Sequence, residues 1–157
     1  MCGIAGFCNW KTDWEKNIRK MNDRMRHRGP DASGIWASED GSVVFGHQRL
    51  SIVDLSENGA QPMQKRLTEE TVEKDKETYL SSRHFRNEIY NYKQIAKRLL
   101  DEKKVDHFRG GSDTEVLLEA MEHMGIEEAI SLCKGMFAIA LYDKKERRLY
   151  LLRDRIG

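Results

Sequence analysis

The sequence predicts one α+β domain built on antiparallel sheets, and three observations support that prediction. Two apolar runs joined by a polar turn stand near each end of the chain, segments with helical spacing lie between them, and the chain has no internal repeat. Apolar runs joined by short turns favour hairpins, and therefore antiparallel rather than parallel sheets. A chain of 157 residues is long enough to bury about two thirds of its unfolded surface.

The first half of the chain predicts a strand, a helix and a hairpin in that order. Cys2–Phe7 is short, apolar and broken by glycine. Thr12-Asp13 is a candidate cap, and Gly29-Pro30 is a stop signal. A turn at 39–41 separates two apolar runs that read as a hairpin. The helix between Thr12 and Gly29 is predicted from apolar residues three and four apart, namely Ile18, Met21 and Met25.

The second half predicts an ordered loop, two helices and a second hairpin. The loop runs from Arg49 to Gln64. One helix carries Ile95, Leu99 and Leu100, and the next starts at Asp113-Thr114 after the break at Gly110-Gly111. The closing hairpin is predicted from two apolar runs on either side of a polar turn, Met136–Tyr142 and Arg148–Leu152.

The segment from Lys65 to Asn87 does not fit this scheme. It carries eleven charged residues in 23 positions, which is incompatible with a strand buried on both faces. Its first half is predicted to be a solvated loop or a frayed helix. Only Tyr79–Phe85 has the composition of a strand, and a polar centre makes that strand weak.

Composition limits the classes of function. The formal net charge is +1, with 39% hydrophobic and 34% charged residues, so nothing favours nucleic acid or an acidic membrane as a partner. Three cysteines form neither a zinc pair nor a disulfide framework, and five scattered histidines do not indicate a metal site. No apolar run has the length of a membrane span or a signal peptide. We therefore expect a soluble cytoplasmic protein.

Cys2 is the first candidate for chemistry, because removal of Met1 would expose a thiol and an α-amine on one residue. The thiol is a nucleophile, and an α-amine with a reference pKa of about 7.7–8.0 accepts a proton near neutral pH. A cysteine in second position can also be an accident of sequence. The rest of the sequence is therefore needed to distinguish a catalytic cysteine from an accidental one.

The sequence contains a series of motifs in a fixed order. They are MCGIAGF at the start, HRGPD at 27–31, GHQRLSIVDLSENGAQPM at 46–63, NEIYNY at 87–92, FRGGSDTEVLLEA at 108–120, KGMFAIALYD at 134–143 and RDRIG at the end. In this order they resemble the class II glutamine amidotransferase domain of glutamine-hydrolysing asparagine synthetases. Other class II amidotransferases share the cysteine start but differ around 28–34 and 49–54.

The resemblance implies a fold and a reaction. The fold is the N-terminal-nucleophile hydrolase type, a four-layer αββα sandwich in which two antiparallel sheets pack face to face between helices. The substrate is L-glutamine: Cys2 attacks its side-chain amide, releases ammonia and forms a thioester that water hydrolyses. The implied domain covers residues 1–157, with 65–87 off the family pattern.

Six further residues acquire roles from the resemblance. Arg49 would hold the α-carboxylate of glutamine, since a guanidinium matches a carboxylate in a two-bond geometry; an ordinary surface ion pair is the alternative. Asp113 resembles the acid that receives the α-ammonium, and it is also a candidate helix cap. Glu88 matches a residue lining the amino-acid pocket, while backbone groups of Ile52 and Val53 resemble substrate contacts. Arg28 is expected to organise the site.

One motif departs from the family at a catalytic position. The family reads Phe-Asn-Gly-Glu where this chain reads Phe85-Arg86-Asn87-Glu88, and the Asn and Gly form the oxyanion hole. If Glu88 keeps its register, Arg86 replaces the amide donor and Asn87 replaces glycine. If Asn87 is the donor and glycine is deleted, the strand shifts by one residue. Losing one such donor costs about a hundredfold to a thousandfold in rate.

The family also carries a second domain that activates aspartate with ATP and magnesium. Nothing in these 157 residues resembles that synthetase domain or a glycine-rich phosphate loop, so we expect no cofactor in this chain and a separate or missing synthetase partner. The principal hypothesis is a glutaminase half-reaction supplying ammonia for asparagine synthesis, with Cys2 and Asn87 as catalytic residues. The alternative is an impaired or truncated module that binds glutamine or a partner synthetase without turnover.

Overall fold

The protein combines α-helices with antiparallel sheets, as predicted. The computed structural model describes residues 2–9, 12–51, 55–65, 78–144 and 146–155. Its strands are β1 (Gly3–Cys8), β2 (Ala32–Ala37), β3 (Val43–Arg49), β4 (Met63–Lys65), β5 (Thr78–Ile89), β6 (Gly135–Asp143) and β7 (Arg148–Arg153), and its α-helices are α1 (Trp14–Arg24), α2 (Tyr92–Asp101), α3 (Asp113–Met124) and α4 (Ile126–Leu132).

The described strands form two sheets in which neighbours are antiparallel. The first has the order β1-β3-β2 and the second the order β4-β5-β6-β7. Strands β2 and β3 are the predicted first hairpin, and β6 and β7 the predicted second one. In the turn between β2 and β3, Gly41 has φ 66°, a left-handed conformation that glycine adopts without steric cost. Both predicted hairpins are confirmed.

Two apolar clusters hold these layers together. The first lies where the sheets meet: the Trp36 ring centroid is 5.4 Å from that of Phe45 and 5.8 Å from that of Tyr142 in β6. The second joins the β5-β6 sheet to the helices and includes Leu99 and Leu118, both almost inaccessible to solvent. Burial of each such side chain stabilises the fold by about 1.5–3 kcal/mol.

Helix α1 covers the first sheet at a glycine. A Cβ at Gly46 in β3 would overlap the Oδ1 atom of Asn22 and lie 2.9 Å from Ile18. The buried Asn22 side chain donates to the Gly34 carbonyl at 3.1 Å and to the Ser33 hydroxyl at 3.2 Å. The helix is therefore fixed to β2 and β3 by contacts that no larger residue at position 46 would permit.

The helix boundaries differ from the sequence prediction. Helix α1 ends at Arg24 rather than at Gly29-Pro30, and a 3-10 turn, Arg26–Arg28, occupies the interval. Asp13 stands at the N-cap of α1, as predicted, but it has φ 49° and makes no side-chain capping bond among the described residues. Helix α4 and strand β4 were not predicted, because seven and three residues are too few for a periodic signal.

The charged segment contains a longer strand than the sequence predicts. Strand β5 extends over Thr78–Ile89 rather than Tyr79–Phe85 and lies between β4 and β6. Pairing with β4 and β6 satisfies backbone N–H and C=O groups of β5. This pairing stabilises the strand although its own sequence has a low strand propensity. The loop or frayed helix predicted for the first half of the segment falls mainly on 66–77, which lie outside the described residues.

Substitution of Gly34 by alanine is expected to destabilise the fold by about 1–3 kcal/mol. A Cβ at this position would overlap the carbonyl oxygen of Gln61, so the backbone of one segment would have to move. The midpoint of urea unfolding measures the change. Gly111→Ala is the matched control, because a Cβ there meets nothing within 4 Å. Equal midpoints for the two variants would contradict the proposed contact.

Candidate active site

Cys2 lies buried at the beginning of β1. Only 6% of its surface is exposed. Its Sγ accepts a hydrogen bond from the Leu50 N–H at 3.2 Å and lies 3.5 Å from the Leu50 carbonyl oxygen, to which the thiol can donate. The adjacent pairing of Gly3 with Gln48 sets this approach. The thiol is thus fixed by a backbone segment 48 residues away in sequence.

The turn at 26–31 supports the cysteine from a second direction. A Cβ at Gly29 would lie 2.5 Å from the Gln48 carbonyl oxygen, so only glycine allows the turn to approach β3 this closely. The N–H of Asp31 donates to the Arg49 carbonyl at 3.0 Å, and the Asp31 carboxylate accepts from the Ser51 N–H at 2.7 Å. These bonds fix the two residues that flank Leu50.

Arg28 lies in the same turn, beneath the start of β1. A Cβ at Gly3 would lie 3.4 Å from the Cδ atom of Arg28. The half-buried arginine therefore packs next to the residue that follows Cys2. The organising role that the resemblance implies for Arg28 stays a prediction.

Arg49 ends β3 directly before Leu50, and its guanidinium reaches across the following loop. Its Nη1 donates to the Ser56 carbonyl at 2.9 Å. Ser56 in turn caps the 3-10 turn Glu57–Gly59 by accepting from the Asn58 N–H at 3.2 Å. Ile52 and Val53, the other predicted contacts of this loop, lie outside the described residues.

Asp113 lies on the second sheet's side of the site, at the first position of α3. It is 5% exposed, and its Oδ2 accepts from the Ile89 N–H at the end of β5 at 3.3 Å. The helix cap is Ser112, whose hydroxyl accepts from the Thr114 N–H at 3.2 Å. The capping alternative for Asp113 is therefore wrong, and its carboxylate faces the strand end that follows Glu88.

The 55–62 segment connects the two halves. The Asn58 side chain donates to the Arg109 carbonyl at 2.9 Å, and the Gln61 side chain donates to the Thr114 hydroxyl at 3.0 Å. The buried Glu115 carboxylate accepts from the N–H groups of Arg109 and Gly110 at 2.8 and 2.9 Å, which shapes the loop before Asp113. Sequence reasoning missed these supporting residues; the available signals were the 46–63 motif, which contains Asn58 and Gln61, and the 108–120 motif around Asp113.

The departure from the family pattern coincides with an irregularity in β5. Arg83 pairs with Ala138 and Glu88 pairs with Met136, so five positions along β5 correspond to two along β6. Strand β5 therefore carries three additional residues within 84–87. This irregularity is one of β5 against β6 within the chain, so the one-residue shift relative to the family stays a prediction. Arg86 and Asn87 both lie in this β-bulge, a feature that re-aims the chain locally.

Cys133 lies close to the buried acid. The half-buried thiol donates to the Ala129 carbonyl at 3.2 Å. Burial, together with the charge of Asp113, raises the pKa of Cys133 from 9.0 to about 11. The thiol is therefore uncharged at neutral pH, unlike a cysteine prepared to act as a nucleophile.

Neither a candidate metal site nor a candidate membrane span is found among the residues that the structure describes. Across those residues, no three His, Cys, Asp or Glu side chains group in a way that could hold a metal ion. No described helix has the length and apolar character needed to cross a bilayer.

Comparisons with known proteins identify the family of the chain. A family model described as a glutamine amidotransferase domain matches residues 1–157. The chain is 40% identical over 162 residues to glutamine-hydrolysing asparagine synthetase 1 of Bacillus subtilis (strain 168). It is 36% identical over 160 residues to glutamine-hydrolysing asparagine synthetase B of Escherichia coli (strain K12), and 37% identical over 169 residues to amidase chry2 of Gibberella zeae.

Each of these alignments covers 100% of this chain but only 23%, 26% and 23% of the respective relative. The chain therefore spans about a quarter of the length of the curated relatives it matches. Because the family model extends over the whole chain, the protein belongs to the glutamine amidotransferase domain family.

Alkylation should distinguish the cysteines by environment. Cys8 is exposed, whereas a pKa of about 11 leaves roughly one Cys133 thiol in a thousand ionised at pH 8, and the thiolate is the reactive form. Mass spectrometry after brief iodoacetamide treatment should find Cys8 modified and Cys133 unmodified. In denaturant both should react alike; equal rates in the folded protein would contradict the assignment.

The same pKa predicts a dependence of stability on pH. The pKa of Cys133 is higher in the folded protein than its ordinary 9.0, so folding favours the protonated thiol. This contribution to the free energy of unfolding is fully present below pH 9 and is lost as the pH rises through 11. Cys133→Ser should flatten that part of the urea-unfolding profile. An unchanged slope between pH 9 and 11 would show that the thiol does not contribute.

Proposed function

We propose that this chain hydrolyses the side-chain amide of L-glutamine through a thioester on Cys2. The observation that carries the proposal is the burial of the Cys2 thiol at the start of β1, held by both backbone groups of Leu50. The thiol bonds to a backbone segment 48 residues away in sequence, so its position is set by the fold rather than by its place near the start of the chain, which supports a functional role. Membership of the glutamine amidotransferase domain family supports the same conclusion.

The chemistry requires removal of Met1. The freed α-amine of Cys2 takes the thiol proton, and the thiolate attacks the amide carbon of glutamine. The amide nitrogen receives that proton and leaves as ammonia. The glutamyl acyl group stays on the Cys2 sulfur as a thioester. A water molecule then attacks the thioester, its proton returns to Cys2, and glutamate is released.

The substrate is proposed to lie between the two halves of the site. Arg49 would bind the α-carboxylate, since its guanidinium already reaches a carbonyl on the facing loop at 2.9 Å. Asp113 would receive the α-ammonium, Glu88 would line the amino-acid pocket, and backbone groups of Ile52 and Val53 would complete it. A charge-assisted bond of this kind contributes about 1.5–3 kcal/mol.

Asn87 is proposed as the oxyanion donor. The β-bulge between Arg83 and Glu88 supports this choice, because an irregular backbone frees groups from the ladder to face a ligand. It also supports the second candidate, a module that binds glutamine without turnover, since three additional residues at this position alter the geometry in which the donor must act.

The fold is proposed to be the four-layer N-terminal-nucleophile hydrolase sandwich, and the whole chain one amidotransferase domain. The apolar cluster between the sheets, with helices on the outer side of each, supports this arrangement. We further propose that the chain itself uses no cofactor, and that the ammonia serves asparagine synthesis on a separate or missing ATP-dependent domain, the activity named for two of its longer relatives. The proposed compartment is the reducing cytoplasm, where a free thiol persists.

Substitution of Cys2 by alanine is expected to abolish glutamate production and labelling by a glutamine analogue carrying an electrophile. Intact mass should first establish that one methionine residue has been lost. Cys8→Ala, which removes an exposed thiol six residues further along β1, is the matched control and should label like the unsubstituted chain. Absence of labelling in folded, methionine-free protein would contradict the proposal, and glutamine binding without glutamate production would favour the binding module.

Two alanine substitutions should identify the oxyanion donor. Asn87→Ala should lower kcat by about a hundredfold to a thousandfold, because charge develops on the amide oxygen only during attack. Arg86→Ala should have the smaller effect on kcat. The glutaminase assay measures both. The reverse order would assign the donor to Arg86 and retain the register in which Asn87 replaces glycine.

A further inference from the structure

Three side chains form a directional series of hydrogen bonds that ends on the buried acid. The amide Nε2 of Gln61 donates to Thr114 Oγ1 at 3.0 Å, and the Thr114 hydroxyl donates to Asp113 Oδ1 at 3.4 Å. A threonine hydroxyl has one proton. Because the amide donor of Gln61 uses an oxygen lone pair, the hydroxyl proton is directed towards the carboxylate.

The carboxylate of Asp113 is thereby held at both oxygens. Oδ1 accepts from Thr114, and Oδ2 accepts from the Ile89 N–H at 3.3 Å. Both distances exceed the usual 2.5–3.2 Å, so each bond alone orients the group weakly, while the two together fix its plane. Asp113 and Thr114 are 5% and 3% exposed, so little water is present to substitute for either donor.

The other end of the series is anchored on the first sheet. The carbonyl of Gln61 lies against Gly34 of β2 so closely that a Cβ would overlap it. Strand β2 pairs with β3, and β3 pairs with the strand that begins beside Cys2. The series therefore joins the sheet that carries the nucleophile to the helix that carries the acid.

We infer that Thr114 is a positioning residue whose hydroxyl, oriented by Gln61, aims the Asp113 carboxylate at the α-ammonium of the substrate. This inference rests on the proposed function, in which Asp113 receives that ammonium group. The ligand class is an α-amino acid with an unblocked, protonated amine. Gln61 has the same role one step further from the substrate.

The test compares Thr114→Val with Thr114→Ser, two changes that remove or keep the hydroxyl. An interaction with the α-ammonium is the same in the ground state and the transition state, so its loss raises KM and leaves kcat unchanged. Thr114→Val should raise KM for glutamine about tenfold, the effect of losing about 1.4 kcal/mol of binding. Thr114→Ser should restore most of that loss.

A substrate without the amine separates positioning from general damage. Glutaramate, which is glutamine lacking its α-amine, offers Asp113 no cation. Thr114→Val should therefore change KM for glutaramate by less than about twofold, against tenfold for glutamine. An equal loss for both substrates would indicate a merely structural role and would overturn the inference.

Calorimetry on the Cys2→Ala background measures glutamine binding without turnover and separates the two proposals. Failure of the unsubstituted chain to bind or hydrolyse glutamine would overturn the proposed function and the inference with it. Tight binding that Thr114→Val leaves unchanged would overturn the inference alone. If Thr114→Val does not give a cooperative melt, Gln61→Met replaces it. The expected result is then a smaller rise in the glutamine Kd with none for glutaramate, and no difference between the ligands would overturn the inference.

Discussion

The pairing of β1 with β3 is the constraint on which the site depends. Chain termini usually fray unless something holds them, yet here the second residue must stay in a fixed position. The register of Gly3 with Gln48 brings Cys2 to Leu50, and the close packing of Gly29 against β3 prevents that strand from moving away. The thiol is thus oriented by backbone that follows directly on a strand paired on both sides, β3.

The segment 55–62, which follows β3, joins the two halves of the site by hydrogen bonds. It contacts the guanidinium of Arg49 through Ser56, the loop before Asp113 through Asn58, and α3 through Gln61. A substrate with charged groups at one end and a reacting amide at the other needs anchors at a constant distance from the nucleophile. The hydrogen bonds of Asn58 to Arg109 and of Gln61 to Thr114 hold this loop against the second half of the site.

The β-bulge in β5 contains the residues at which the sequence departs from the pattern that the resemblance implies. Family membership follows from the match over the whole chain, and most of the proposed machinery lies outside the bulge. Bulges are local devices that redirect the chain while the ladder continues on either side, and Glu88 and Ile89 are again paired beyond it. Regular pairing of β5 therefore resumes before Ile89, whose N–H donates to Asp113.

The sequence by itself determined the α+β class, both hairpins, the helices α1, α2 and α3, and the family, because periodicity and motif order are local properties of the chain. It also identified Cys2, Arg49 and Asp113 as residues of interest. Tertiary structure alone decided which backbone groups meet them. Leu50 lies 48 residues from Cys2, and Gln61 lies 53 residues from Thr114. Such contacts depend on strand register and layer packing, which no local pattern encodes, and this is why the cap of α3, the bulge in β5 and the supports of Asp113 emerged only from the folded chain.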